Sequence, residues 1–235
     1  METTYIEIDS PDKHLSDVLE EIPSNVILYK TLTGIGATYS EIKAQRHSII
    51  IEPNVPVIIG KCNSDKHKND NLLGVYEGVT TDRIIKYLGA SRGKYYKILT
   101  TPESFTKVKD AFLIFNGKIY NTCFLLIDEA HKTIKDVDYR SDIVLPMNDF
   151  FKFKGKALVS ATPLKFSDPR FEENGFSIIK IEPTYDYAKE IDIKPSTNIL
   201  REVWEEFGWM PFITGQDKDR PFFIFINSVD IIYSI

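Results

Sequence analysis

Short apolar runs recur along this chain, and most give way to glycine, proline or hydroxyl residues before helical spacing begins. Tyr5, Ile6, Glu7 and Ile8 alternate as in a strand, and Leu15, Val18, Leu19 and Ile22 then follow at helical intervals. Residues 26–29 (Val-Ile-Leu-Tyr) predict the next strand, and residues 39–44 a helix. The run 48–51 predicts another strand, followed by a helix entered at Pro56 and continued through Val57, Ile58 and Ile59. Strands are expected again over 72–76, 96–100, 124–127, 157–159 and 177–181. Between them, a helix over 81–88 is capped by Thr80 or Thr81 and turns Ile84, Ile85 and Leu88 inward. Thr101, Pro102 and Glu103 read as cap, first position and first turn of a further helix. Runs that are apolar throughout suit strands buried on both faces. Their alternation with helices predicts an α/β fold with a mainly parallel sheet and helices on both sides.

Composition narrows the picture without fixing it. The 235 residues make one substantial domain and part of another, and 43% hydrophobic content fits a globular chain. A formal charge of −5 argues against a general polyanion trap, though not against a locally basic cleft. Residues 61–71 are polar and read as an exposed loop in which Lys66, His67 and Lys68 could brush phosphates; Lys152, Lys154 and Lys156 form a short basic patch. The two cysteines, Cys62 and Cys123, lack zinc-site spacing and do not make a disulfide scaffold. No stretch is apolar for long enough to span a bilayer and the amino terminus is not signal-like, so the expected location is the cytoplasm.

The candidate chemistry sits where apolar runs end. Phe124 to Ile127 lead straight into Asp128 and Glu129, then Ala130 and His131. Parallel sheets present ligands at the carboxyl ends of their strands. There Asp128 is suited to a hydrated magnesium ion and Glu129 to orienting or deprotonating a water. The plainer reading is a solvated acidic turn. Upstream, the run 26–29 passes through Lys30 into Thr31-Leu32-Thr33-Gly34-Ile35-Gly36-Ala37-Thr38 and a helix. Strand, glycine turn and helix start together aim backbone N–H groups at a phosphate. Two hydroxyls, Ser160 and Thr162, close the run 157–159 about thirty residues beyond the carboxylates, within reach of His131 or Asp128.

Taken in order, these strings resemble the motifs of superfamily 2 DEAD/DEAH-box helicases. Asp128-Glu129-Ala130-His131 resembles the Walker B (DEAH) box, Thr31 to Thr38 the phosphate loop, and Ser160-Ala161-Thr162-Pro163 the coupling motif. Thr101-Pro102-Glu103 and, more loosely, Pro53-Asn54 resemble the two motifs that touch the nucleic-acid backbone. The resemblance implies a three-layer RecA-like P-loop NTPase lobe over 1–182, a connector over 183–220 and the first strand of a truncated second lobe over 221–235. It implies ATP and Mg2+ as cofactors, held by Thr33, Gly34, Ile35, Gly36, Ala37, Thr38 and His131, with Thr38 and Asp128 on the metal. Glu129 and Asp128 would be catalytic, and Ser160, Ala161 and Thr162 would couple the cleft to DNA or RNA. The nucleic acid would run across Pro53, Asn54, Thr101, Pro102 and Glu103.

One position departs from the pattern: Ala37 stands where the phosphate loop carries its lysine. The missing ammonium would contact the β- and γ-phosphates, and one well-placed donor is worth on the order of 10²–10³ in rate. Lys30, just before the loop, is expected to be a solvated lysine at a strand end, with a reach back to the phosphates as the other reading. The implied activity is ATP hydrolysis that drives movement on nucleic acid, with this chain alone inactive because the second lobe's arginine finger is missing. A non-hydrolysing nucleotide- or nucleic-acid-binding module is the alternative, and a packaging-type motor a third.

Overall fold

The computed structural model describes residues 1–32, 34–135, 145–162 and 168–186. They lie within one compact unit, Met1–Tyr187. The elements alternate in chain order: β1 (Thr3–Ile8), α1 (Leu15–Val18), β2 (Val26–Lys30), α2 (Ala37–Lys43), β3 (His47–Ile51), α3 (Val55–Asn63), β4 (Leu72–Val75), α4 (Thr81–Ala90) and β5 (Lys97–Thr100). The chain continues through α5 (Phe105–Phe115), α6 (Ile119–Thr122), β6 (Cys123–Ile127), α7 (Ala130–Lys135), α8 (Leu145–Phe150), β7 (Gly155–Ser160), α9 (Arg170–Glu173) and β8 (Ser177–Pro183). The strands form one eight-stranded sheet in the order β1-β8-β2-β7-β6-β3-β5-β4, and every pairing is parallel.

Successive side chains of a strand point to opposite faces, and here both faces are covered. Ile27, Ile49, Ile51, Ile98, Leu125, Ile127 and Leu158 pack with Ile84, Leu88, Phe105, Val108 and Phe112, which belong to α4 and α5. Leu28, Ile50, Leu99, Leu126, Ala157 and Val159 pack on the other face with Leu15, Ile42 and Ile58, from α1, α2 and α3. The result is the three-layer α/β arrangement expected of a RecA-like domain. Because all strands run one way, their carboxyl ends lie along one rim. The register sets Tyr29 beside Ser160 and Ile127 beside both Ile51 and Leu158, so the loops after β2, β3, β6 and β7 are neighbours on that rim.

Several local expectations need correction. The helix predicted from Leu15 to Ile22 ends at Val18; Leu19 is extended, and Pro23 disfavours a helical Ile22, which packs into the core as irregular chain. The helix expected to start at Thr101 begins at Phe105. Thr101 is still tied to the sheet, its N–H donating to the Val75 carbonyl at 3.2 Å, so a turn must intervene before the helix axis can diverge. Residues 61–71 are an exposed loop only in part, with Lys66 and Lys68 exposed as expected. α3 runs on to Asn63, His67 is buried with Nδ1 2.8 Å from Asp70, and Lys43 Nζ holds the same carboxylate. The basic patch at 152–156 is reduced rather than lost: Lys152 and Lys154 stay exposed, Lys152 pairing with Asp149, but Lys156 is buried with its Nζ donating to the Phe153 carbonyl and Asn174 Oδ1. β8 carries the chain to Pro183, and the connector and second-lobe strand expected over 183–220 and 221–235 lie, beyond residue 186, outside the described residues.

Candidate functional site

β6 delivers Asp128 to the rim, where its N–H donates to the Ile51 carbonyl at 2.9 Å and fixes it beside β3. Asp128 is buried, and each of its carboxylate oxygens has a partner from the chain around β2. Thr38 Oγ1, in the first turn of α2, donates to Oδ2 at 2.5 Å, joining residues 90 positions apart. Lys30 Nζ, at the end of β2, donates to Oδ1 at 3.0 Å. The same ammonium reaches Glu129 Oε1 at 2.7 Å. Burial works against the charge on Lys30, but Asp128 and Glu129 outweigh it and hold its pKa above the ordinary lysine value. Lys30 is therefore not the solvated strand-end lysine expected; its side chain is 8% exposed and lies between the two carboxylates.

Glu129 adopts φ 49°, in the left-handed region that non-glycine residues rarely occupy. Such a conformation persists only where neighbours over-determine it, and it recurs at functional sites. Here the Glu129 N–H donates to Asp128 Oδ1 at 2.9 Å, and its carbonyl accepts from the Lys132 N–H at 2.8 Å. Thus the backbone is pinned on both sides while the carboxylate faces Lys30 and His131. His131 Nδ1 lies 3.2 Å from Ser160 Oγ and 3.4 Å from Glu129 Oε2. The Ser160 hydroxyl donates to the Thr162 carbonyl at 2.7 Å and accepts from the Thr162 N–H at 3.1 Å. With its only proton committed, Ser160 accepts from His131, which assigns the imidazole proton to Nδ1. The serine hydroxyl thus meets His131 as expected, whereas Thr162 acts through its backbone and holds Ser160 in place. Ala161 supplies the turn between them, and Pro163 lies outside the described residues.

The glycine turn also meets the rim. Gly34 and Gly36 hold φ 81° and 90°, conformations that glycine adopts without a Cβ penalty, and a Cβ built on Gly34 meets nothing within 4 Å. Ala37 is 3% exposed and belongs to the core cluster that includes Ile35 and Ile42. Thr33 lies outside the described residues. Beside the turn, Gly34 and Ile35 share with His14, Lys13, Ile181 and Tyr185 a cleft that opens to solvent. Thr38 and Asp128 place two hard oxygen atoms side by side, joined by a hydrogen bond. Hydroxyl and carboxylate are the donor types that a hydrated magnesium ion takes.

The residues expected to meet nucleic acid are distributed along the same rim with unequal access. Pro53 and Asn54 follow β3 and are half-buried, Thr101 and Pro102 are buried, and Glu103 is exposed. Thr101 Oγ1 accepts the Ser104 N–H at 3.3 Å, closing the turn before α5. Sequence reasoning missed Glu52. It is buried at the end of β3, accepts from the Asn54 N–H at 3.2 Å, and is pushed to a raised pKa by burial and by the charges of Asp128 and Glu129. The signal was present: Glu52 follows an apolar run just as Asp128 does.

No protein-family model matches the chain, and no curated protein sequence does. Among solved structures, a hypothetical ATP-dependent RNA helicase from Sulfolobus tokodaii is similar over 67% of this chain and 48% of its own, with 16% identity and a TM-score of 0.46. The Hef helicase domain of Pyrococcus furiosus is similar over 73% of this chain and 38% of its own, with 14% identity and a TM-score of 0.46. A DEAD box protein from Methanococcus jannaschii is similar over 67% and 45% respectively, with 18% identity and a TM-score of 0.42. In each case the match takes in less than half of the other chain.

Proposed function

We propose that this chain is the ATP-binding lobe of a DEAH-box helicase or translocase, in which hydrolysis of Mg-ATP drives movement on DNA or RNA. The observation that carries this reading is the meeting of Thr38, Asp128 and Glu129 on one rim, the hydroxyl and the first carboxylate in direct contact. Thr38 Oγ1 and Asp128 would hold magnesium, which supplies positive charge against the phosphates. The backbone of Gly34 to Gly36 would cradle the phosphates, and the adjoining cleft by Ile35, His14 and Tyr185 would take the nucleoside. Glu129 orients a water and accepts its proton at the carboxylate. His131 joins Glu129 to Ser160, so a change at the carboxylate is felt at the end of β7. Nucleic acid would cross the rim at Pro53, Asn54, Thr101, Pro102 and Glu103, with the exposed Glu103 and half-buried Asn54 making first contact.

The test is ATP binding by this chain, and turnover by the complete protein that joins it to a second lobe, with and without DNA or RNA, beside Glu129→Gln. The expected outcome is magnesium-dependent binding and nucleic-acid-stimulated turnover, with Glu129→Gln lowering turnover by about 10²–10⁴ while binding persists. Ala37 supports a second reading, a module that binds nucleotide without hydrolysing it. ATP binding with no turnover on any nucleic acid would favour that reading, and absence of nucleotide binding would end both.

A further inference from the structure

We propose that Lys30 is the phosphate-binding lysine of this site, supplied from the end of β2 in place of the loop position that Ala37 occupies. The inference rests on the nucleotide reading above and provides the charged group that reading lacks. Val26 and Leu28 pack on the face of the sheet that carries α2, and Lys30, two residues further along β2, projects to the same side. Its backbone is fixed in the sheet, paired with Ile181 of β8. Lys30 and Thr38 then bind the two oxygens of a single carboxylate, Oδ1 and Oδ2 of Asp128. The ammonium is therefore one carboxylate away from the hydroxyl assigned to magnesium, and directly on the carboxylate assigned to the water.

Two further observations separate this role from that of a structural ion pair. Among the described residues, Lys30 is the one lysine or arginine within hydrogen-bonding distance of Asp128 or Glu129. A triphosphate brought to three clustered carboxylates (Glu52 is the third) needs a protein cation to offset them, and Lys30 is placed to supply it. Ala37, by contrast, is packed into the core, so a lysine stem there would have to leave that cluster. A lysine carries a compact charge on a flexible stem, so Lys30 can leave the carboxylates for a phosphate oxygen without moving the strand. Without a phosphate the same ammonium offsets the buried Asp128 and the half-buried Glu129.

The test compares ATP, ADP and AMP affinities of the whole chain and of Lys30→Met by calorimetry. Lys30→Met is expected to weaken ATP and ADP about ten- to a hundredfold, the range of one charge-assisted hydrogen bond, and AMP by less than about threefold. Because removing one partner of a buried pair can unfold the chain, a measurement on the unaltered protein stands beside it. An adenosine diphosphate bearing a pyridoxal aldehyde on its terminal phosphate is incubated with the protein, reduced with borohydride, and the modified lysine identified by mass spectrometry. Modification of Lys30, prevented by excess ATP, is the expected result. A folded Lys30→Met that binds ATP and ADP as tightly as the unaltered chain would overturn this inference alone, as would labelling of another lysine with Lys30 untouched. If the unaltered chain binds no nucleotide, the inference falls together with the functional reading.

Discussion

The Ser160 hydroxyl has its donor and acceptor roles assigned by Thr162 and His131, so its removal has a defined consequence. Ser160→Ala leaves Thr38, Asp128 and Lys30 untouched but frees the imidazole at Glu129. The expected result is unchanged ATP affinity with stimulation of hydrolysis by nucleic acid reduced towards none, measured as the ratio of turnover with and without it. A second residue-scale prediction concerns Lys97, at the far end of the sheet. Its ammonium is buried and donates to the carbonyls of Glu41 and Ala44 and to Ser48 Oγ, yet burial lowers its pKa from 10.5 to about 8. Between those values the unfolded chain holds a proton that the native chain has released. The contribution of Lys97 to stability therefore rises with pH through that window and is lost as pH falls through about 8. Burial raises Cys123 to about 12, which acts in the opposite sense above pH 9, so the measurement is a difference. Lys97→Met should flatten the pH dependence of unfolding free energy between about pH 8 and 10 by on the order of 2 kcal/mol relative to the unaltered chain. The two lysines also show where sequence reading stops. Asp128, Glu129 and Thr38 were legible because each ends an apolar run or a glycine turn. Lys30 ends a run too, but whether such a lysine meets water or carboxylates depends on which strands flank it. β2 and β6 are separated by β7, an adjacency that no local pattern encodes.

At the scale of elements, strand positions followed directly from apolar runs, while helix ends were decided by tertiary ties. Thr80 caps α4 as the sequence implied, its hydroxyl accepting the Arg83 N–H at 3.3 Å. Thr101 has the same side chain and a better-looking motif, but its backbone is still bonded to β4, and the helix waits until Phe105. Gly74 is a comparable case, a glycine inside β4 that a propensity argument would treat as a weak point. Its lack of a side chain is what lets α3 approach the sheet. A Cβ there would lie 2.9 Å from Ile58 Cγ2, 3.2 Å from Cys62 Sγ and 3.3 Å from the Tyr76 ring. Gly74→Ala is accordingly expected to destabilise the fold by about 1–3 kcal/mol through overpacking, read as a lower denaturation midpoint with an unchanged denaturant slope. Unaltered stability would mean that α3 moves away from β4 at little cost.

For the whole molecule, the order β1-β8-β2-β7-β6-β3-β5-β4 places the candidate site on the central strands and leaves β1 and β4 at the edges. β1 is the first element of the chain, yet it pairs with β8, the last described strand. The Ile178 N–H donates to the Glu2 carbonyl at 2.8 Å and the Thr184 N–H to the Ile8 carbonyl at 2.9 Å, so β1 seals an edge that would otherwise be open. Most of β1 is exposed, and its apolar anchor is Ile8, with Ile6 half-buried against the same core. An edge strand with so few buried contacts opens locally before the centre does, whereas β2, β6 and β7 exchange only with larger openings. Deuterium uptake should therefore be fastest over Thr3–Ile8 and slowest over Val26–Lys30, Cys123–Ile127 and Gly155–Ser160. Deleting residues 1–8 should go further, exposing the β8 edge to pairing with other chains and promoting aggregation on warming. Because Lys30, Thr38, Asp128 and Glu129 are held by β2, α2 and β6, the deleted protein should still bind ATP at low temperature, more weakly for the loss of Ile8 from the nucleoside cleft. Complete loss of binding without loss of fold would instead mean that the cleft lined by Ile8 and His14, and not the phosphate contacts, carries most of the affinity.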